Sequence, residues 1–258
     1  MSESLIFEKK DGIAYLTLNR PESRNAINIE MYNMLNECWK RVNEDDDIRV
    51  LIATGAGDKV FSAGMDLKEV ARLKEEGKKD LLKYVDDPYM LKMRSVKKPI
   101  IAAINGNAFA GGLLLSLNSD IRVAVEGTTF AITESKIGRG SPWAIPLLWM
   151  LPLGIVMEMT LTGDSIPAER MYKMGFLNRL VKREELMSTA ISIAERIRDN
   201  APLSVMAAKE SLLRGMDLGL KAGFEKAIEI YETVYASEDA QEGPRAFAEK
   251  RKPVWKGR

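Results

Sequence analysis

The sequence predicts an α/β protein whose last third is helical, and three features predict it. Short aliphatic runs are each followed by a glycine-bearing loop and then a helix-like stretch, the recurring unit of α/β folds. Beyond Glu184 the apolar spacing becomes helical. With 258 residues, 46% of them hydrophobic, the chain can bury a sizeable core as one large domain or one domain with a small appendage.

Taken in order, 5–9 and 13–19 read as antiparallel strands around Asp11-Gly12, a dipeptide suited to a tight hairpin turn. After Pro21, Met31, Met34, Leu35, Cys38 and Val42 fall at helical intervals, so 28–43 is expected to be a helix with one apolar face for a sheet. Residues 48–54 and 99–104 are compact apolar strands. Between them, Lys68–Lys98 is dense in charge and reads as exposed helices with a mobile connection. In the last third, Leu186, Ala190, Ile193, Ala194 and Ile197 make one stripe. Phe224, Ala227, Ile228, Tyr231, Val234 and Tyr235 make another, which reads most simply as core and alternatively as an oligomer interface.

Composition narrows the chemistry. Lys and Arg number 38 against 37 Asp and Glu, a net charge of +1 that lacks the basicity of a nucleic-acid binder. One cysteine, Cys38, closes no intrachain disulfide and builds no thiolate cluster, which points to a reducing compartment, the cytoplasm. There is no histidine, so every Ser-His-Asp triad, Cys-His pair, His-ligated zinc and His base is excluded. No targeting segment, membrane span or metal site is predicted.

Thr54-Gly55-Ala56-Gly57 lacks the third glycine of a dinucleotide loop, because position 60 is Val60, and Gly138-Arg139-Gly140 fails likewise. Two other glycine loops, Phe61–Asp66 and Asn105–Gly112, each run from a strand into a helix. Such turns can leave amides unpaired at a helix N-terminus, where an anionic oxygen is favoured.

Five ordered motifs then carry a resemblance over nearly the whole chain: Asn19-Arg20-Pro21-Glu22 with Arg24-Asn25-Ala26, FSAGMDLK from Phe61, AINGNAFAGG from Ala103, DIRVA from Asp120 and FAEKRKP from Phe247. Together they resemble the crotonase family of enoyl-CoA hydratases and isomerases. The resemblance implies a spiral of ββα units, with an acyl-CoA site in 1–195 and a helical oligomerisation region over 196–258. It also implies assembly as a homotrimer or as a hexamer of two trimers, with CoA as part of the substrate and no separate cofactor.

Residue by residue, it implies a thioester oxygen held by the amides of Met65 and Gly111, and adenine and pantetheine along Ala63 and Leu67. Lys59 and Lys68 match contacts to CoA phosphates, and Phe247 with Lys250 match residues supplied by a neighbouring subunit. Where the family often has a lysine, at Glu22, the nearest cation here is Arg24. Family hydratases use two glutamates. The first position here is Leu114 and the second is Glu134, a pattern that resembles Δ3,Δ2-enoyl-CoA isomerases, in which one base carries a proton between two carbons.

The expectation is therefore isomerase-type chemistry through Glu134, with hydration or dehydration of a CoA ester as the alternative. A plain surface or capping carboxylate is the competing reading of Glu134. Trp143 reads equally as a substrate wall or ordinary packing, and Asp66 as an N-cap rather than a second acid. Met150, Met157, Met159, Met171 and Met174 read as core filling or, alternatively, as an acyl tunnel. A non-catalytic or RNA-binding ring remains from another class, and for it Lys92, Arg94, Lys97 and Lys98 are the nearest basic run.

Overall fold

A computed structural model describes residues 4–77 and 86–258. The hairpin forms as its turn chemistry requires: β1 (Leu5–Lys10) pairs antiparallel with β2 (Ile13–Leu18) through Asp11 and Gly12, at φ 50° and 77°. Next comes α1 (Ile29–Glu44), capped by the Asn28 side chain on Met31 N, with Met31, Leu35, Cys38 and Val42 buried along its inner face.

Three successive turns of a spiral follow. Each gives one strand to a large sheet, one short strand to a small sheet, and then helix. The first is β3 (Val50–Gly55), β4 (Val60–Ser62) and α2 (Leu67–Glu75); α3 (Met90–Arg94) leads to the second, β5 (Ile100–Ile104), β6 (Asn107–Phe109) and α4 (Gly111–Asn118). The third is β7 (Ile121–Val125), β8 (Thr129–Ala131), two 3-10 turns at Glu134–Ile137 and Pro142–Trp149, and α5 (Leu153–Thr162). Then β9 (Ile166–Pro167), α6 (Ala168–Lys173) and β10 (Arg179–Val181) close the sheets. The large sheet runs β1-β2-β3-β5-β7-β10, parallel from β2 onward, and the small one β4-β6-β8-β9. This is the spiral of ββα units that the resemblance implies.

The large sheet is covered on both faces, which is why its strands are apolar throughout. Ile100, Ala102 and Ile104 of β5 enter the main core with α1, while Ile101 and Ala103 face α7 (Leu186–Arg198), whose Leu186, Ala190, Ile193 and Ala194 are buried there. Position 195, where the sequence expectation divides the chain, lies within α7. Beyond it, α8 (Pro202–Leu218) packs on α9 (Leu220–Tyr235), with a Cβ on Gly223 coming within 2.7 Å of the Gly215 Cα, and α10 (Glu238–Ala248) follows.

The expected core stripe of α9 is corrected. Only Val234 is buried, while Phe224, Ile228 and Tyr235 stand 55–73% exposed in the single chain. Of the charged stretch, 78–85 lie outside the described residues. Three cations of the basic run beside it are engaged by partners: Lys92 pairs with Asp86, Arg94 with Asp217 at 3.1 Å, and Lys98 is buried against the Asp45 carbonyl. Among the described residues no helix is long and apolar enough to cross a membrane, and no cluster of His, Cys, Asp or Glu could hold a metal.

Candidate active site

The first glycine loop is shaped by the segment that precedes β3. Buried Asn25 accepts the Arg20 N–H on Oδ1 (3.0 Å) and donates Nδ2 to the carbonyls of Ala56 (2.9 Å) and Val60 (2.8 Å). The neighbouring backbone then takes up the loop amides one by one. Ala63 N donates to Arg24 O (3.0 Å), Gly64 N to Ser62 Oγ (3.1 Å) and Asp66 N to Ile27 O (2.9 Å). The amide left over is that of Met65, which has no acceptor among the described residues. Asp66 caps α2 through Lys68 N and Glu69 N and pairs with Arg20 at 2.9 Å. Burial alone would raise its pKa, but the Arg20 hydrogen bond and the cap amides outweigh it and hold the carboxyl low. The N-cap reading of Asp66 therefore stands.

In the second loop Ala110 adopts φ 47° and ψ −115°, a strained backbone for an L residue. It is pinned by its N–H to Ala131 O (3.0 Å) and by its carbonyl, which accepts from Leu114 N (2.9 Å). Gly111 follows as the first residue of α4, and its amide also lacks a partner among the described residues. The two loops touch: a Cβ on Gly64 would lie 2.8 Å from Gly111 N, and one on Gly111 would lie 3.8 Å from Met65 N. Two unpaired amides thus sit together at the positive end of a helix, an arrangement suited to an oxyanion.

Both border a cavity of about 290 Å³, whose wall also includes Ala63, Leu67, Leu114, Glu134 and Trp143. Glu134 begins the 3-10 turn after β8 and is 9% exposed. Its Oε1 accepts Trp143 Nε1–H at 3.0 Å, and its Oε2 has no partner among the described residues. Burial pushes this carboxyl above the usual carboxylate range, and its own backbone N–H, the Trp143 hydrogen bond, the charge of Arg139 and the Thr133 N–H pull it only partway back.

With the geometry in view, comparison with known proteins decides the lineage. Residues 8–258 match the enoyl-CoA hydratase/isomerase family. The chain belongs to the crotonase family. It is 38% identical to carnitinyl-CoA dehydratases of Salmonella paratyphi A and Salmonella typhi, over the full length of both chains. Solved enoyl-CoA hydratases superimpose closely. One from Bacillus anthracis gives a TM-score of 0.91 at 32% identity, covering 99% of this chain and 100% of that one. One from Mycobacterium tuberculosis H37Rv gives 0.88 at 34%, covering all of both.

Within this crotonase, the cavity gathers seven of the residues singled out from sequence: Met65, Gly111, Glu134, Ala63, Leu67, Leu114 and Trp143. Arg24, Lys59, Lys68, Phe247 and Lys250 lie elsewhere, all exposed; the Arg24 carbonyl accepts from Ala63 N of the first loop. The five methionines considered for an acyl tunnel do not line the cavity. Met159 and Met171 are buried core, Met150 and Met174 pack against it, and Met157 is half exposed, whereas Met65 and Met90 take the wall.

Sequence reasoning missed Tyr32, Asp87, Tyr89 and, as a chemical group, Arg139. Tyr32 and Tyr89 stack edge to face at 6.0 Å, burial keeps both phenols protonated, and the Tyr89 hydroxyl has no partner among the described residues. Tyr32 lies beside Met31 in the apolar pattern of α1, which gave no sign of chemistry; Arg139 was read only as part of a failed glycine loop, and no motif marked Asp87 or Tyr89.

Proposed function

We propose that this crotonase shifts a double bond, converting a 3-enoyl-CoA to the 2-enoyl-CoA with Glu134 as its one acid/base. One observation carries the reading. Two unpartnered amides and a buried carboxylate share one cavity, while the position where family hydratases keep a further acid is Leu114, apolar and 7% exposed. In this reading the thioester oxygen accepts hydrogen bonds from Met65 N and Gly111 N. Ionised Glu134 takes a proton from C2, leaving a dienolate whose charge rests on that oxygen. The same group then returns the proton at C4, which leaves the double bond between C2 and C3. Each amide contributes roughly 10²–10³ in rate, by analogy with loss of one oxyanion donor. Burial raises the basicity of Glu134 and suits it to this transfer.

A second reading is dehydration of a 3-hydroxyacyl-CoA, favoured by the 38% identity to carnitinyl-CoA dehydratases. A single carboxylate also balances that step: Glu134 takes the C2 proton and hands it to the departing hydroxyl, which leaves as water. Incubation with 3-enoyl-, 2-enoyl- and 3-hydroxyacyl-CoA separates the two. Conversion of the 3-enoyl ester supports isomerisation, whereas interconversion of the other two alone overturns it in favour of dehydration. Glu134→Gln abolishes either reaction, and full activity in that variant removes Glu134 from the mechanism.

For the rest of the ligand, Lys59, Lys68 and Arg24 are proposed to meet CoA phosphates, and Phe247 with Lys250 to close on the nucleotide of a neighbouring copy. The exposed apolar residues of α9 suit burial in a trimer or hexamer. We place this chemistry in the cytoplasm, on the single-cysteine composition.

A further inference from the structure

Among the described residues Glu134 has one side-chain donor, the indole of Trp143, and it serves one oxygen only. We infer that Trp143 is a positioning residue, whose Nε1–H holds Oε1 and thereby makes Oε2 the oxygen that exchanges the proton with substrate carbon. The inference deepens the reading of Glu134 as acid/base and rests on it.

The argument is one of donors and acceptors. An indole nitrogen has one hydrogen to give and no lone pair to accept with. Oε1 must therefore remain an acceptor through the whole cycle, as carboxylate oxygen when Glu134 is ionised and as carbonyl oxygen when it is protonated. Protonation of Oε1 would make it a much poorer acceptor for the indole N–H, so the proton resides on Oε2, which has no hydrogen-bond partner among the described residues.

Without such a partner the terminal torsion of a glutamate is broad and its two oxygens are interchangeable. Trp143 is itself anchored, because its 3-10 turn buries Ala144, Pro146 and Leu147. A donor to the ionised form also opposes the effect of burial on Glu134 and sets the lower edge of the active pH range. The other charged or titratable groups of the cavity are Arg139, Asp87, Tyr32 and Tyr89; both phenols stay protonated.

The test is Trp143→Phe, which keeps an aromatic ring and removes the N–H, assayed on whichever thioester the wild type converts. The expected result is a fall in kcat of about 10- to 100-fold, the scale of an ångström-sized misplacement, with KM changed much less. The acidic limb of kcat/KM moves up by roughly one pH unit, the size of one lost hydrogen bond. Trp143→His, which returns a ring N–H, recovers part of both effects and keeps the test informative if the Phe variant folds poorly. In a Glu134→Gln background, where turnover is already abolished, Trp143→Phe leaves the calorimetric affinity for the same thioester within a few-fold.

An unchanged kcat and acidic limb in Trp143→Phe overturns the inference, and so does a large loss of thioester affinity in the Gln background, which would make Trp143 a substrate contact instead. Full activity in Glu134→Gln alone overturns instead the acid/base reading beneath it, so the two failures are distinguishable.

Discussion

Replacing Gly64 by Ala tests the two-amide site without touching an acid, a base or a polar side chain. Gly64 has φ 88°, where an L residue is strained by about 1–3 kcal/mol. Its new Cβ would lie 2.8 Å from both Ala110 Cβ and Gly111 N and 3.1 Å from Phe109 O, whereas ordinary contact starts at 3.4 Å. The loops must therefore part by roughly 0.6 Å, beyond the ~0.5 Å within which a catalytic constellation holds its geometry. If one amide leaves the acyl oxygen, the barrier rises by about 3–4 kcal/mol and kcat drops roughly 10²–10³-fold.

The assay is steady-state turnover of the acyl-CoA, alongside thermal unfolding and calorimetric binding of free CoA, which has no acyl oxygen. We expect a large loss of kcat, a Tm lower by about 2–10 °C from the strain, and CoA binding within a few-fold of wild type. A variant that loses stability yet keeps wild-type kcat would refute the reasoning, since it would mean that the two amides do not act together on the reacting oxygen.

Other expectations follow from burial and charge. Because burial raises the Glu134 carboxyl above its value in the unfolded chain, its contribution to stability is complete below the unfolded pKa and is lost as pH rises through the folded one. Glu134→Gln should accordingly be more resistant to urea than wild type at neutral pH, with the advantage closing toward acid; an advantage independent of pH contradicts the assignment. Leu114→Glu adds a carboxylate to the same wall, so hydration of a 2-enoyl-CoA should rise and the acidic limb of Glu134 should move upward, like charge opposing ionisation. If hydration does not rise, Leu114 is not the position that decides the reaction. Cys38 is buried and its thiol is pushed up to about 12, so a thiol reagent at pH 8 should label it only in denaturant; rapid labelling of the native protein contradicts that burial.

What was legible in the sequence was what local periodicity and turn chemistry control. Asp11-Gly12 placed the hairpin, and the stripe from Met31 to Val42 placed α1 one residue from its observed start and end. The short strands β4, β6 and β8 were not legible, since three residues carry no period and their order is set by pairing Ser62 with Ala108 and Ala108 with Phe130 across the spiral. The stripe on α9 was legible as amphipathic, but a pattern of apolar side chains is the same whether a core or another subunit covers it. Glu134 and the two amides came through the resemblance, on glycine loops and motif spacing. The bond from Trp143 to Glu134 joins two irregular turns nine residues apart, where no helical or strand interval applies.

The site also stands apart from the rest of the molecule by a physical criterion that owes nothing to ancestry. Buried polar groups away from the cavity are well satisfied: Asn25 uses both ends of its amide, Asn105 bonds Gly55 N at 3.1 Å and Gly57 O at 2.8 Å, and Lys209 meets Asp120 at 2.8 Å. Among the described residues three buried side-chain atoms lack a partner, and two of them belong to Glu134 and Tyr89, which border one cavity. The unpaired amides of Met65 and Gly111 and the strained Ala110 border the same space. A buried unsatisfied side-chain group or a strained residue costs about 1–3 kcal/mol. Their concentration at one cavity singles it out as the candidate site, and the two donors, one acceptor and one phenol gathered there are what the proposed acyl oxygen and acidic C–H would meet.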